Sequence, residues 1–231
     1  MIEVRPFAVL GGGDHGWLKA RHHFAFAGIG NPHHRPIDAL RVWNDDTIAP
    51  HSGFPLHPHR DVEIITYVRE GAITHEDSLG NKGRTEAGNV QVMSAGTGIT
   101  HAEYNAEDGP TRIFQIWIAP RSQGAEPRWA TGAFPKSSRG GRFVALASGY
   151  GIPGSLPIDA DADVMGATVT SGDKIAYDLA PGSKAYLVPA VGRVLLNGLQ
   201  LDAGDGAAIV DEAKIEITSI DDTEIVLVVL P

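Results

Sequence analysis

The 231-residue chain contains no cysteine, which excludes disulfide bonds, thiolate metal ligands and a cysteine nucleophile. It also lacks an N-terminal basic stretch followed by an apolar core, so no secretory signal is visible. The longest purely aliphatic run, residues 225–230, is far too short to span a bilayer. These absences predict a cytoplasmic protein with no membrane anchor.

Positive charge is scarce as well. The chain carries 19 Lys and Arg against 28 Asp and Glu, which gives a formal charge of −9 with neutral histidines. Such a surface repels nucleic-acid phosphates and anionic lipids, so we expect no direct nucleic-acid or membrane binding. Apolar residues nevertheless make up 42% of the chain, enough for a buried core, which argues against intrinsic disorder.

Histidine is concentrated in one part of the sequence. None of the ten histidines follows position 101, although a uniform scatter would rarely leave the whole C-terminal half without one. Any imidazole chemistry is therefore expected in the N-terminal half.

Short strands dominate the pattern. Segments rich in β-branched and aromatic residues alternate with Gly, Pro and Asn turns at a spacing typical of an antiparallel sandwich or barrel. No long amphipathic helix is evident. The predicted strands are residues 62–68, 72–77, 83–86, 90–93, 112–118, 166–169, 174–179, 185–188, 193–196, 207–210, 214–219 and 224–230.

The composition changes after Pro120 to Arg, Ser, Gly and Pro with little periodicity. This change predicts a linker between two β-domains. We place an N-terminal metal-binding domain at residues 1–122, the linker at 123–141 and a second domain at 142–231.

Two pairs of polar side chains carry the expected chemistry. Residues i and i+2 of a strand point to the same face, so His57 and His59 can both point inward, as can His101 and Glu103. If the two strands are neighbours, three imidazoles and a carboxylate converge. This set suits one first-row divalent ion and leaves positions open for substrate or oxygen. Iron(II) is our leading candidate; nickel, manganese, copper, cobalt and zinc stay open.

A weak internal repeat relates the two halves. Residues 85–89 (TEAGN) resemble residues 201–205 (LDAGD), an offset of 116. No choice of register supplies a histidine to the second half, so we expect its domain to lack a metal site. At this offset the positions that correspond to 57, 59, 101 and 103 are Asp173, Ile175, Ile217 and Ser219.

Several other residues have two interpretations each. His75 and Asp77 either line the pocket or are ordinary hydrogen-bonded strand residues. Phe54 either forms a pocket wall or packs in the core. The adjacent pairs His22-His23 and His33-His34 diverge in an extended chain, so we expect packing or surface roles, with His22 or His23 a candidate partner of a ligand.

The spacing H-x-H-x3-E followed by Gly is similar to the first cupin motif, and G-x5-S-x-G…H-x3-N resembles the second. The fuller strings GFPLHPHRDVEIITYV, THEDSLGN and AGNVQVMSAGTGITHAEYN resemble the pirin family over roughly residues 15–120. The resemblance implies two jelly-roll barrels and a metal held by His57, His59, His101 and Glu103. Many mononuclear cupins instead use the first-motif glutamate, here Glu63, which shares the strand parity of His59.

The resemblance also implies an activity. Pirin-like bacterial proteins include dioxygenases that use O2 to cleave a flavonol such as quercetin at its 2,3-bond and release carbon monoxide, with Glu103 as the expected catalytic base. The alternative is a non-enzymatic regulator that binds a protein partner according to the oxidation state of its metal. A third, less favoured reading is another cupin chemistry such as sugar isomerisation.

Overall fold

The computed structural model describes residues 1–26 and 28–231, and its regular structure is almost entirely β-strand. Two short 3₁₀ helices, Phe7–Val9 and Lys136–Arg139, are the exceptions in this part of the chain. The first twelve strands are β1 (Ile2–Arg5), β2 (Gly11–Asp14), β3 (Leu18–His22), β4 (Leu40–Ile48), β5 (Ser52–His59), β6 (Glu63–Glu70), β7 (Ala72–Asp77), β8 (Lys82–Glu86), β9 (Val90–Ser94), β10 (Ile99–Asn105), β11 (Thr111–Ile118) and β12 (Arg128–Gly132).

Ten further strands follow. They are β13 (Val144–Ser148), β14 (Leu156–Pro157), β15 (Asp163–Val169), β16 (Lys174–Asp178), β17 (Lys184–Val191), β18 (Val194–Leu196), β19 (Leu199–Leu201), β20 (Gly206–Val210), β21 (Lys214–Ser219) and β22 (Thr223–Leu230).

The strands form two barrels, each built from a seven-stranded and a four-stranded sheet. The first barrel combines the order β12-β9-β6-β11-β4-β3-β2 with β5-β10-β7-β8. The second combines β1-β20-β17-β22-β15-β13-β14 with β16-β21-β18-β19. The predicted all-β fold with two jelly-roll domains is confirmed. Within the described residues, no helix has the length and apolar character needed to cross a bilayer.

The outer faces of the two seven-stranded sheets pack against each other. Trp43, Tyr67 and Phe114 of the first barrel share one buried core with Tyr186 and Val226 of the second. Burial of large side chains from both sheets joins the barrels into one body, because apolar area removed from water stabilises the folded state in proportion to its extent.

The segment predicted as a linker is more ordered than the sequence indicates. Strand β12 pairs with β9 and extends the sheet of the first barrel, and Arg139 in the following 3₁₀ helix is buried between the barrels. Residues 123–141, which we predicted as a linker, therefore contain a strand and a short 3₁₀ helix. Strand β1 also pairs with β20 of the second barrel. The domain limits 1–122 and 142–231 stay a prediction.

Candidate metal centre

Neighbouring strands bring three imidazoles together. Strand β10 pairs with β5 so that His101 lies opposite His57 and Ile99 lies opposite His59. The ring centroid of His57 lies 4.8 Å from that of His59 and 4.5 Å from that of His101. The centroids of His59 and His101 are 5.0 Å apart. One nitrogen from each ring lies within 4.8 Å of the others.

The backbone of β5 fixes the orientation of His57. The pairing slips by one residue between His57 and Phe54, which is a β-bulge at the segment containing Pro55. Nδ1 of His57 lies 2.7 Å from the Pro55 carbonyl oxygen. A carbonyl can only accept, so Nδ1 carries a proton, and in the neutral ring Nε2 is the nitrogen with the lone pair. The same slip places Phe54 opposite Glu103.

The other two rings present unpartnered nitrogens. Nε2 of His59 and Nε2 of His101 are buried and have no hydrogen-bond partner in the described chain. Burial, with the charges of the neighbouring imidazoles, lowers the pKa of His59 to about 4 and that of His101 to about 3. The rings are therefore neutral at neutral pH, which is the form that binds metals. These residues fit a divalent ion.

Glu103 is placed beside the imidazoles by three hydrogen bonds. Its Oε1 accepts from Thr66 at 3.1 Å and from Gln91 at 2.7 Å, and its Oε2 accepts from Gln115 at 2.7 Å. The carboxylate lies outside the closest group of ligand atoms, which contains the three histidines alone, but it lines the same cavity as His57 and His59. Oε2 keeps a lone pair for a metal or a proton.

A cavity of about 270 Å³ leads to this group. One wall is aromatic: Phe26 and Trp117 meet edge to face with centroids 5.4 Å apart, and Trp117 also contacts the ring of His59. Phe54, which packs on Trp17, lines the cavity too, so both interpretations of this residue hold. Aromatic side chains and a few polar groups line it, which suits a ligand with aromatic rings.

A polar part of the cavity lining lies on β3 and β4. Nδ1 of His22, Oδ1 of Asn44 and Oδ1 of Asp46 are buried without a partner, and all three residues line the cavity. Burial, reinforced by the charges of Asp45 and Glu103, raises the pKa of Asp46 well above its ordinary value.

His75 and Asp77 lie behind the cluster rather than in the cavity. Nε2 of His75 is 2.8 Å from Oδ2 of Asp77, and Nδ1 of His75 is 3.4 Å from Nδ1 of His101. Both residues are buried. The expectation that they line the pocket is wrong, and the hydrogen-bonded alternative describes them.

Glu63 lies on the other face of its sheet. Strand β6 alternates, so Thr66 points into the barrel towards Glu103 whereas Glu63, Ile65 and Tyr67 point outward. The Glu63 carboxylate accepts a hydrogen bond from Ser94 at 2.7 Å. It therefore neither joins the imidazoles nor orients one.

The adjacent histidine pairs separate as expected. His22 lines the cavity, while His23 is fully buried between the barrels with Nδ1 2.9 Å from the Tyr186 hydroxyl. His34 is buried and His33 is exposed. Of these four histidines, His22 alone lines the cavity.

Sequence reasoning missed the residues that hold Glu103 and most of the cavity wall. The available signal was a polar residue inside an otherwise apolar strand, as for Gln91 in VQVMS and Gln115 in RIFQIWI. Such a residue needs a buried partner. The residues not singled out are His15, Asn44, Asp46, Thr66, Gln91, Gln115 and Trp117.

Paired jelly-roll barrels with a histidine cluster inside the first one define a two-domain cupin. Its more particular identity follows from comparison: the pirin family matches residues 3–118, and the quercetinase C-terminal cupin domain matches residues 145–230. The chain belongs to the pirin family.

Relatives support this assignment along the whole chain. A pirin-like protein from Caulobacter vibrioides is 60% identical over 229 residues, which cover 99% of both chains. A quercetin 2,3-dioxygenase from Escherichia coli K12 is 38% identical over 232 residues, which cover 100% of this chain and 99% of the relative. The crystal structure of the bacterial pirin YhhW from E. coli in complex with nickel(II) has a TM-score of 0.94 at 37% identity, covering 100% and 99%.

Proposed function

We propose that the chain is a metal-dependent dioxygenase that cleaves flavonols such as quercetin. The observation that carries this proposal is the cavity lined by Phe26, Phe54 and Trp117 that also contains His57, His59 and Glu103. It would admit a planar ring system to the place where the imidazoles of His57, His59 and His101 converge. The named activity of the E. coli relative adds support.

We assign the ligand set to His57, His59, His101 and Glu103. A bound divalent ion would supply Lewis acidity towards the flavonol 3-hydroxyl and a route for electrons between substrate and dioxygen. Iron(II) stays our proposal for the native ion; nickel(II) is the ion in the E. coli structure.

The protein itself holds the substrate and moves one proton. Phe54 and Trp117 would position the flavonol rings. Oε2 of Glu103 has one free lone pair, which can serve either the ion or a proton. Glu103 would therefore accept the 3-hydroxyl proton on Oε2 while that oxygen is released from the ion. Gln91 and Gln115 keep that carboxylate in place throughout.

The overall reaction balances without a further oxidant. The C2–C3 and C3–C4 bonds break and C3 leaves as carbon monoxide. Both atoms of O2 stay in the ring-opened product, and Glu103 returns its proton to the new carboxyl group.

Metal analysis combined with oxygen uptake and carbon monoxide release on quercetin tests the proposal. We expect near one equivalent of metal in the wild type, and loss of uptake in His57→Ala and Glu103→Gln. His51→Gln, a change at an exposed histidine paired with Asp108, is the matched control and should keep full activity. Absence of metal under reducing, metal-replete conditions would contradict the proposal at its root.

A second candidate is a regulator whose contact surface responds to the oxidation state of the metal. The outer face of β5 and β10 presents Leu56, 67% exposed, and Tyr104, 42% exposed, directly beside the ligand residues. Bound iron without oxygen uptake on flavonols, together with hydrogen exchange in β5 that differs between ferrous and ferric protein, would favour this function over the enzyme.

A further inference from the structure

A chain of hydrogen-bonding groups runs from the imidazole cluster to a surface turn. It starts at His101, passes through His75 and ends at Asp77, where the amide of Asn81 donates to Oδ2 at 3.0 Å and the backbone N–H of Leu79 donates to Oδ1 at 2.9 Å. The mechanism proposed above uses neither His75 nor Asp77.

The protons along this chain can be placed in order. Burial acts to raise the pKa of Asp77, but hydrogen bonds from His75, Asn81 and Leu79 outweigh it and the pKa lies below its ordinary value. Asp77 is thus a carboxylate that accepts the Nε2 proton of His75. In the neutral form of His75 the single N–H is the one on Nε2 that Asp77 accepts, so Nδ1 of His75 is an acceptor. Nδ1 of His101, which lies 3.4 Å from it, is then the donor.

This order leaves Nε2 of His101 with a lone pair. That nitrogen is buried without a protein partner in the described chain, and its ring lies 4.5 Å from the ring of His57. The Pro55 carbonyl fixes the same tautomer in His57. Two different contacts, one from His75 and one from the Pro55 carbonyl, therefore favour the same tautomer in His101 and His57.

His75 is held in place by β12, a strand in the segment that the sequence predicted as a linker. Trp129 of β12 stacks on its ring with centroids 4.8 Å apart and planes 8° from parallel. A Cβ at Gly83 would come within 2.3 Å of the Trp129 ring, so glycine makes room for the stack. Strand β12 thus supports the His75 imidazole, which lies behind the histidine cluster.

We propose that Asp77 and His75 form a relay that selects the Nδ1–H tautomer of His101 and so presents its Nε2 to the metal. His75 and Asp77 are positioning residues that act through His101, and Trp129 clamps the relay. The metal half of this inference rests on the proposed metal centre. The negative end of the relay also increases electron donation by His101 and stabilises the higher oxidation state of a bound ion.

The first test uses the metal-free protein. Long-range ¹H–¹⁵N correlation of the His101 ring should show Nδ1 protonated in the wild type, and a mixture of tautomers in His75→Phe, which keeps a ring for Trp129 to stack on. Asp77→Asn, which preserves shape, serves if His75→Phe does not fold, and should shift the populations in the same direction. An unchanged Nδ1–H tautomer in folded variants would overturn the relay.

The second test is nickel(II) affinity by titration calorimetry and the reduction potential of bound iron. Loss of a partner behind a ligand weakens metal binding by about 10- to 100-fold, and we expect this loss in His75→Phe and Asp77→Asn. The potential should rise in Asp77→Asn, because the charge that stabilises ferric iron is removed. Glu76→Gln, at an exposed residue paired with Lys82, is the matched control.

The outcomes separate the two proposals. In one outcome the variants change the His101 tautomer while the wild type binds no metal. That result would keep the effect of the relay on His101 but overturn its role in metal binding, together with the proposed metal centre. Metal binding by the wild type with unchanged affinity and unchanged potential in both variants would overturn the relay alone.

Discussion

The two barrels share an architecture but fill their interiors differently. Inside the second barrel one apolar cluster is continuous, and it includes Ile175, Leu187, Ile217 and Leu227. Inside the first barrel there are two smaller clusters, one around Ile48 and another around Met93 and Ile99. The polar residues of the cavity and the metal centre belong to neither cluster. The interior of the first barrel therefore lacks the continuous apolar core that fills the second barrel.

The counterpart strands show this difference at single positions. Strand β10 sets His101 opposite His57, and β21 sets Ile217 opposite Ile175. A buried isoleucine stabilises the folded state by about 1.5–3 kcal/mol, whereas a buried polar atom without a partner costs about 1–3 kcal/mol. The imidazoles of the first barrel are therefore a local cost in stability that a bound ion would offset.

Giving the first barrel the residue of the second should produce the largest effect. We expect His101→Ile to weaken nickel(II) binding by at least about 100-fold, since it removes a ligand rather than a supporting group. Its metal-free stability should be equal to or higher than that of the wild type. Calorimetric titration and urea unfolding of the same sample measure both. Undiminished nickel affinity would remove His101 from the ligand set.

The reverse exchange should damage the second barrel. Ile217→His buries an imidazole in an apolar interior, where lost packing and an unpaired polar group together cost about 2–3 kcal/mol of the free energy of unfolding. Urea unfolding measures it against Gln200→His on the exposed face of β19, where a change within about 0.5 kcal/mol is expected. Equal stability of the two variants would show that the second interior tolerates polarity as the first does.

The strands with regular apolar patterns were predictable from sequence. Strands β7 and β21 have the predicted bounds, because their residues alternate or cluster by local rules. Strand β4 was not predicted, since Asn44-Asp45-Asp46 is typical of a turn. Its strand conformation depends on long-range contacts: Asp45 pairs with Arg69 of β6, and Asp46 faces the cavity.

The part of the candidate site in which histidines repeat at strand spacing was predictable. The side chains that support Glu103 from other strands were not. The convergence of His57, His59 and His101 follows from i, i+2 parity and adjacent strands. The support of Glu103 by Gln91 depends on a barrel closing around it. The repeat offset of 116 also fails locally: Ile175, rather than Asp173, lies opposite Ile217, so β16 is shifted by two residues against β5.

The shared core between the barrels should respond to pH. Burial, aided by the charges of Arg5 and Arg69, lowers the pKa of His23 from 6.5 to about 3. The unfolded chain therefore binds the extra proton between pH 6.5 and 3, so stability is complete above this window and falls as the pH drops through it. Within this window each pH unit removes about 1.4 kcal/mol.

Urea unfolding of wild type and His23→Gln at pH 7 and pH 5 measures this contribution. The wild type should lose roughly 1–2 kcal/mol more than the variant between the two values. His33→Gln, at an exposed histidine, should behave as the wild type. An identical pH dependence in His23→Gln would show that the buried core does not discriminate against the charged ring.

The smallest expected effect concerns the polar edge of the first barrel, which the second interior does not share. If Oδ1 of Asn44 accepts a hydrogen bond from a substrate hydroxyl, Asn44→Leu should raise KM for quercetin about fivefold, the equivalent of about 1 kcal/mol. Kinetics with 3-hydroxyflavone, which has only the hydroxyl required for reaction, should be unchanged because the lost acceptor has no donor to meet. Thr47→Val, on the opposite face of β4, is the control. An equal rise in KM for both flavonols would mean that the edge contributes shape rather than hydroxyl recognition, and that the polarity of the first barrel serves the metal centre alone.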